Sequence, residues 1–275
     1  MYKSIFLVLS ILFMGGCGYI VPTHKHRIKT IQKLTNSNKL TKEIISAGIF
    51  KLYSIHSNLL TCKGTTINLY IEGDGLPWVT STKISDDPTP INPLGLKLFL
   101  KDNHKCKVYL ARPCQYISSS TCKNRYWTSH RFSSEVIDSL NIALDKIKKR
   151  SNAFDFKLFG YSGGGAVAAL LAAKRDDIVT LVTIAGVLDE KYWTKEHYVT
   201  PLYGSLNPAD FSEKLSKIYQ IHLIGEKDSI VDFSVFQSYI KKFKDKSKIN
   251  YKIFRDYNHH CCWEKNWKYI LKDIK

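Results

Sequence analysis

The chain has 275 residues, 44% of them hydrophobic and 24% charged, which gives length and apolar content for a full-sized core and excludes collagen, coiled coil and disorder. Its net charge of +17 raises the question of a nucleic-acid partner, yet only 7 of the 41 basic residues are Arg, and no stripe of Arg and aromatics meets a groove or a strand. The charge reads as a solvated, lysine-rich surface with at most weak attraction to anionic lipid, and no nucleic-acid partner is expected.

At the N-terminus, Lys3 precedes an apolar run from Ile5 to Met14, followed by Gly15, Gly16 and Cys17. A short basic region, an apolar core and small residues before a cleavage point are the marks of a secretion signal. The run is too short to span a bilayer, which needs about 20 apolar residues. The tetrad Met14-Gly15-Gly16-Cys17 resembles a bacterial lipoprotein box, with Met14 where Leu is usual. That resemblance implies a signal peptide over residues 1–16 and a lipid on Cys17. It also implies export to the cell envelope, periplasmic or surface-facing, with the membrane as a partner through the anchor. Residues 17–48 are polar and lysine-rich with few apolar residues in any period, and read as a tether; the folded domain is expected over 49–275.

From Phe50 onward the pattern alternates. Strands are expected at Phe50–His56, Thr66–Glu72 and Lys107–Ala111, with a helix at Pro93–Asp102 between the last two. A helix follows from Ser133 to Lys149, where a serine caps and Val136, Ile137, Leu140, Ala143 and Ile147 recur at helical spacing. Strand Phe156–Tyr161, helix Gly163–Lys174 and strand Ile178–Ala185 come next. The stretch Leu188–Pro208 has no clear period and reads as a lid or a surface excursion. The chain then closes with strand Ile218–Ile224, helix Phe233–Phe243, strand Asn250–Arg255 and helix Cys262–Lys272. Short apolar strands joined by crossover helices imply an α/β domain, a mostly parallel central sheet with helices on both faces, whose site lies beyond the carboxyl ends of the strands.

Apart from Cys17, the six cysteines Cys62, Cys106, Cys114, Cys122, Cys261 and Cys262 are candidates for disulfides in an exported protein. Cys114 with Cys122 is the favoured pair, because Gln115–Thr121 is a polar, serine-rich loop. A bond between the neighbours Cys261 and Cys262 would be strained, and is not expected. No C-x-x-C pair or metal-spaced His accompanies these residues, so no metal is expected.

The sharpest motif is Gly160-Tyr161-Ser162-Gly163-Gly164, a G-x-S-x-G between an apolar strand and a helix of small residues. A serine on such a strained turn points its Oγ outward, and the helix start offers N–H groups to a developing anion. Serine is a poor nucleophile alone, so a base and an orienting carboxylate must follow. Asp228 lies in the loop Gly225–Val231 after a strand, and His259 and His260 lie in Asp256–Trp263 after the last strand. Asp189, Glu226 and Asp232 are alternatives to Asp228, and His260 is an alternative to His259. The order Ser162, Asp228, His259 is that of the α/β-hydrolases.

From about Ile49 to the end the chain resembles an α/β-hydrolase of the serine esterase and lipase superfamily. The resemblance implies an oxyanion hole made by the N–H groups of Asp74, in the turn Glu72-Gly73-Asp74-Gly75, and of Gly163. Glu72 stands where many relatives have His, and the Asp74 carboxylate must point away or be paired if the hole is to work. The implied function is cleavage of an ester or similar acyl bond, in a small-molecule or lipid substrate, through an acyl-enzyme and without a cofactor. A surface-anchored binding or scaffolding protein on an inactive hydrolase fold is the competing reading, supported by Glu72 and Asp74 beside the expected hole. Aromatics of Asn124–Phe132, Leu76 and Trp78 are candidate pocket walls, or merely packing.

Overall fold

The computed structural model describes residues 21–36 and 40–274, so the expected secretion signal and lipidation site at Cys17 lie outside the described residues. Eight strands form one sheet: β1 (Thr41–Ala47), β2 (Phe50–His56), β3 (Thr66–Ile71), β4 (Lys107–Leu110), β5 (Asp155–Tyr161), β6 (Ile178–Ile184), β7 (Tyr219–Gly225) and β8 (Ile249–Phe254). Their spatial order is β1-β2-β4-β3-β5-β6-β7-β8. The hairpin β1–β2 and the β2–β4 pair are antiparallel, and every other pairing is parallel. The sheet is therefore mostly parallel, as the alternation of strands and helices implied.

The chain leaves β3 for β4 on one side and returns to β5 on the other, so β3 and β5 are neighbours whose connections diverge. A crevice opens at the carboxyl ends of such a strand pair, where side chains from both loops converge.

Period-two alternation sends successive strand residues to opposite faces. Leu69, Ile71 and Leu158 pack under helices α3 (Ser134–Ser151), α4 (Gly163–Lys174) and α7 (Phe233–Lys241), through Leu140, Val167 and Val235 among others. Tyr70 and Phe159 face the other layer, which holds α1 (His24–Thr35), α2 (Leu94–Lys101) and α8 (Trp263–Asp273). There Tyr70 stacks on Phe159 at 4.5 Å, and Trp267 of α8 meets both rings edge-on. Trp263, Trp267, Ile270 and Ile274 recur along one face of α8, which explains why an otherwise lysine-rich helix seats there. Helix α4 is buried on every side from Gly163 to Ala173, as its run of Gly, Ala, Val and Leu demands. Two short helices, α5 (Glu190–Glu196) and α6 (Ser212–Leu215), complete the set. Among the described residues no helix is long and apolar enough to cross a membrane.

The region expected as a tether is in large part built into this body. Residues 41–47 pair along their whole length with β2, and α1 packs Ile31 into the second layer. Buried Arg27 donates to the carbonyl oxygens of Asp87 and Thr89 and pairs with the Asp87 carboxylate at 2.7 Å. The domain thus begins well before residue 49. In α1 the apolar residues Ile28, Ile31 and Leu34 are set among lysines and histidines beside a buried guanidinium, and the edge strand, largely exposed, reads as polar chain.

The cysteines pair Cys62–Cys106, Cys114–Cys122 and Cys261–Cys262. The expected Cys114–Cys122 link is present. The adjacent pair is bonded against expectation; among the described residues the other four cysteines are engaged with one another.

Candidate active site

Ser162 sits between the end of β5 and the start of α4 with φ +53° and ψ −124°, a region that disfavours side chains by about 1–3 kcal/mol. The turn is held by Ser162 N–H donating to the Ile184 carbonyl at 2.9 Å and by Gly165 N–H donating to the Ser162 carbonyl at 2.8 Å. Backbones approach so closely that a Cβ on Gly160 would lie 2.3 Å from the Gly164 carbonyl oxygen. A Cβ on Gly163 would meet the Asp74 carboxylate. The glycines of the motif are steric necessities of this turn.

His259 Nε2 lies 3.0 Å from Ser162 Oγ, and His259 Nδ1 lies 2.9 Å from Asp228 Oδ2. With Nδ1–H donating to the buried carboxylate, Nε2 is left to accept from the serine hydroxyl. The other oxygen of Asp228 accepts the N–H groups of Ile230 and Val231 at 2.9 and 2.8 Å, which fixes the carboxylate in its loop. The histidine turn is fixed as well. Asn258 Oδ1 accepts from the N–H groups of His260 and Cys261, the Trp263 indole donates to the Asn258 carbonyl, and the Tyr161 hydroxyl donates to the His259 carbonyl at 3.2 Å.

The competing candidates go elsewhere. His260 Nδ1 is 3.0 Å from the Tyr161 hydroxyl and does not bond Ser162; burial and the adjacent His259 hold its pKa below the usual histidine range. Asp189 caps α5 through Tyr192 N–H and takes bonds from Asn207 and Ser238. Asp232 caps α7 through Ser234 N–H, and Glu226 is exposed.

Beyond β3, both carboxylates of the turn Glu72–Gly75 are engaged. Glu72 is fully enclosed and accepts four donors: the N–H groups of Gly73, Gly95 and Leu96 at 2.9, 3.1 and 3.2 Å, and the Tyr109 hydroxyl at 3.1 Å. It thereby caps α2, whose own N-cap, Pro93, supplies no side-chain bond. Burial pushes its carboxyl up from the ordinary range, against the pull of those donors. Asp74 pairs with Arg112 at 3.1 Å and Arg131 at 2.7 Å. Burial alone would raise its pKa; the two guanidinium groups outweigh that and hold it below the usual carboxylate range. The N–H groups of Asp74 and Gly163 make no hydrogen bond among the described residues, so both remain available as donors.

A cavity of about 1090 Å³ opens over Ser162 and His259. Its walls are largely apolar: Leu76, Trp78 and Ile84 from the loop after β3, Val187, and Trp193, Val199 and Leu202 from the stretch after β6. Leu76 and Trp78 thus take the position expected of them. In Asn124–Phe132 the aromatics do not line the cavity: Tyr126 packs edge-on against Phe50, and the Trp127 indole donates to the Ser85 carbonyl. Thr128, Ser129 and Arg131 face it instead, because the one-turn 3₁₀ segment at Asn124–Trp127 turns its rings inward. Sequence reasoning missed Arg112, Gln115 and Arg131. A usable signal was present, since three of only seven arginines, Arg112, Arg125 and Arg131, lie between the end of β4 and the long helix. Among the described residues no group of three or more His, Cys, Asp or Glu is placed to hold a metal ion.

The sheet order, the serine elbow between β5 and α4, and the carboxylate and histidine after β7 and β8 define the α/β-hydrolase fold. Solved structures agree. An esterase from Pyrococcus furiosus superposes with a TM-score of 0.61 at 14% identity, covering 88% of this chain and 93% of that one. Est1E from Butyrivibrio proteoclasticus, solved with bound ferulic acid, gives 0.59 at 13% identity over 84% and 98%. An alpha-beta serine hydrolase homologue from Coxiella burnetii gives 0.56 at 12% identity over 85% and 94%. No family model matches the chain, and no curated protein matches it.

Proposed function

We propose that this protein is a serine hydrolase that cleaves carboxylic esters with a bulky apolar part. The observation that carries the reading is the unbroken line from Ser162 Oγ through His259 to Asp228, at 3.0 and 2.9 Å, on the floor of a largely apolar cavity. In this mechanism His259 Nε2 takes the serine proton as Oγ bonds to the ester carbonyl carbon. The resulting oxyanion accepts from the N–H groups of Asp74 and Gly163, at the positive end of α4. The bond to the alkoxide then breaks, the leaving oxygen takes the proton from His259, and an acyl-Ser162 remains. Water, deprotonated by the same imidazole, attacks the acyl carbon; the acid departs and the serine regains its proton. Asp228 holds the tautomer and stabilises the imidazolium. The residues on this route need no cofactor.

The binding-protein reading rested on two carboxylates crowding the oxyanion position, and both are engaged by donors, so nothing specific favours it. We also propose, from the sequence alone, that the protein is exported and anchored through a lipid on Cys17.

The test is hydrolysis of p-nitrophenyl esters of graded chain length by the chain lacking residues 1–17. Wild-type activity should fall by at least about 10³-fold in Ser162→Ala and in His259→Ala, and by less than about fivefold in His260→Ala. A folded wild type no faster than Ser162→Ala would sink the hydrolase reading. Loss of activity in His260→Ala alone would reassign the base.

A further inference from the structure

We infer that Arg112 and Arg131, with Gln115, form a clamp that positions the Asp74 N–H for the oxyanion. The inference rests on the hydrolase reading of Ser162, and it assigns these three side chains as positioning residues.

A turn such as Gly73-Asp74-Gly75 has no secondary structure to hold its N–H groups in line, yet a donor contributes to a transition state only if its direction is fixed beforehand. Here the turn is gripped through both backbone groups of Gly73 and both carboxylate oxygens of Asp74. Gly73 N–H donates to Glu72, and the Gly73 carbonyl accepts from Gln115 Nε2 at 2.9 Å. Gln115 Oε1 in turn accepts the Arg112 N–H at 3.0 Å, which ties the turn to the end of β4. The Asp74 carboxylate takes one guanidinium on each oxygen. Those guanidinium groups are themselves fixed: Arg112 Nη2 donates to the Arg131 carbonyl, and Arg131 Nε donates to the Thr128 carbonyl at 2.9 Å. Both arginines are at least nine-tenths buried, and Cys114–Cys122 closes the loop that carries Gln115.

The contact with the nucleophile elbow is direct. The Asp74 carboxylate lies across Gly163, close enough that a Cβ there would stand 2.1 Å from Oδ1. The ion cluster therefore sits against the second proposed oxyanion donor while it orients the first. Two guanidinium groups against one carboxylate also answer the electrostatic objection to an aspartate at this place, since the cluster as a whole carries a positive charge beside the forming anion.

The experiment compares wild type, Arg131→Met, Arg131→Lys and Gln115→Met on one p-nitrophenyl ester. It measures kcat, KM and the inhibition constant of phenylboronic acid, which becomes a tetrahedral anion on serine. A clamp acting on the transition state lowers kcat at least tenfold in Arg131→Met and Gln115→Met, leaves KM within about threefold, and weakens the boronate in proportion to kcat/KM. Arg131→Lys, which keeps the charge and most of the volume, recovers part of the loss and serves where the Met variant does not fold. Equal changes in kcat and KM, or boronate affinity that stays at the wild-type value while kcat falls, overturn the clamp. A wild type no faster than Ser162→Ala overturns the hydrolase reading and the clamp together.

Discussion

At the scale of single residues, burial decides whether a side chain can carry a charge. His222 on β7 is enclosed between the Thr183 hydroxyl at 2.7 Å and the Gln220 side-chain oxygen at 3.1 Å, and burial lowers its pKa from 6.5 to about 3. The unfolded chain binds a proton below pH 6.5 that the folded chain refuses. Stability from this residue is therefore full above pH 6.5 and falls as acid is added, down to about pH 3. Between pH 6.5 and 4.5 the expected loss is about 2 kcal/mol. Urea midpoints of wild type and His222→Asn across that range check it: the wild-type decline should be steeper, and parallel curves would refute the assignment. In the active site, position separates His259 from His260. Adjacent in sequence, they part because one ring reaches Ser162 and the other reaches Tyr161.

At the scale of elements, the helix outside the expected domain has the clearest mechanical role. Helix α1 grips the segment Asp87–Thr89 through Arg27, and that segment in turn grips the oxyanion turn, since Leu76 N–H donates to the Pro88 carbonyl at 3.1 Å. Arg27→Ala removes bonds to a buried carbonyl, a part-buried carbonyl and a carboxylate, and should lower stability by about 2–3 kcal/mol, read from the shift in urea midpoint at constant slope. An unchanged midpoint would mean that α1 is only laid on the surface. Much of the element pattern was legible beforehand: β2 to β8 and the helices α2, α3, α4, α7 and α8 fall within a few residues of their expected ranges. Most of these elements carry an apolar period, and α4 is an unbroken run of small and apolar residues that opens on glycine. β1 buries only Ile45 and Ala47, α5 only the polar Glu190 and Thr194, and α6 only Leu215, while α1 sets its apolar residues among lysines and histidines.

At the scale of the whole molecule, the cavity and the compartment are the features with functional weight. Leu202 is buried in the cavity wall, so Leu202→Trp should fill part of the space. The preferred acyl chain should shorten, with kcat/KM for long esters falling at least about tenfold relative to short ones. A chain-length profile identical to wild type would place the acyl group elsewhere. For the compartment, cells expressing full-length Cys17→Ser should release into the soluble fraction a protein that the wild type keeps with the membranes. Equal distribution of both forms would remove the lipid anchor from the account, while leaving the hydrolase reading intact.

The order of strands and helices, the serine elbow and the residues able to serve as acid and base are readable from the chain before it folds. Those properties are local: alternation of apolar residues dictates which face is buried, and a serine at positive φ between closely packed backbones demands glycine. Which histidine meets Ser162, which carboxylate meets that histidine, and what neutralises Asp74 are settled by folding. Each of these is a contact between side chains far apart in the chain, Asp74 with Arg131 and Ser162 with His259, made at the one end of the sheet where the loops after β3, β4, β5, β7 and β8 come together. No local period records such a meeting, because the direction in which a loop side chain points is set by the packing of its neighbours.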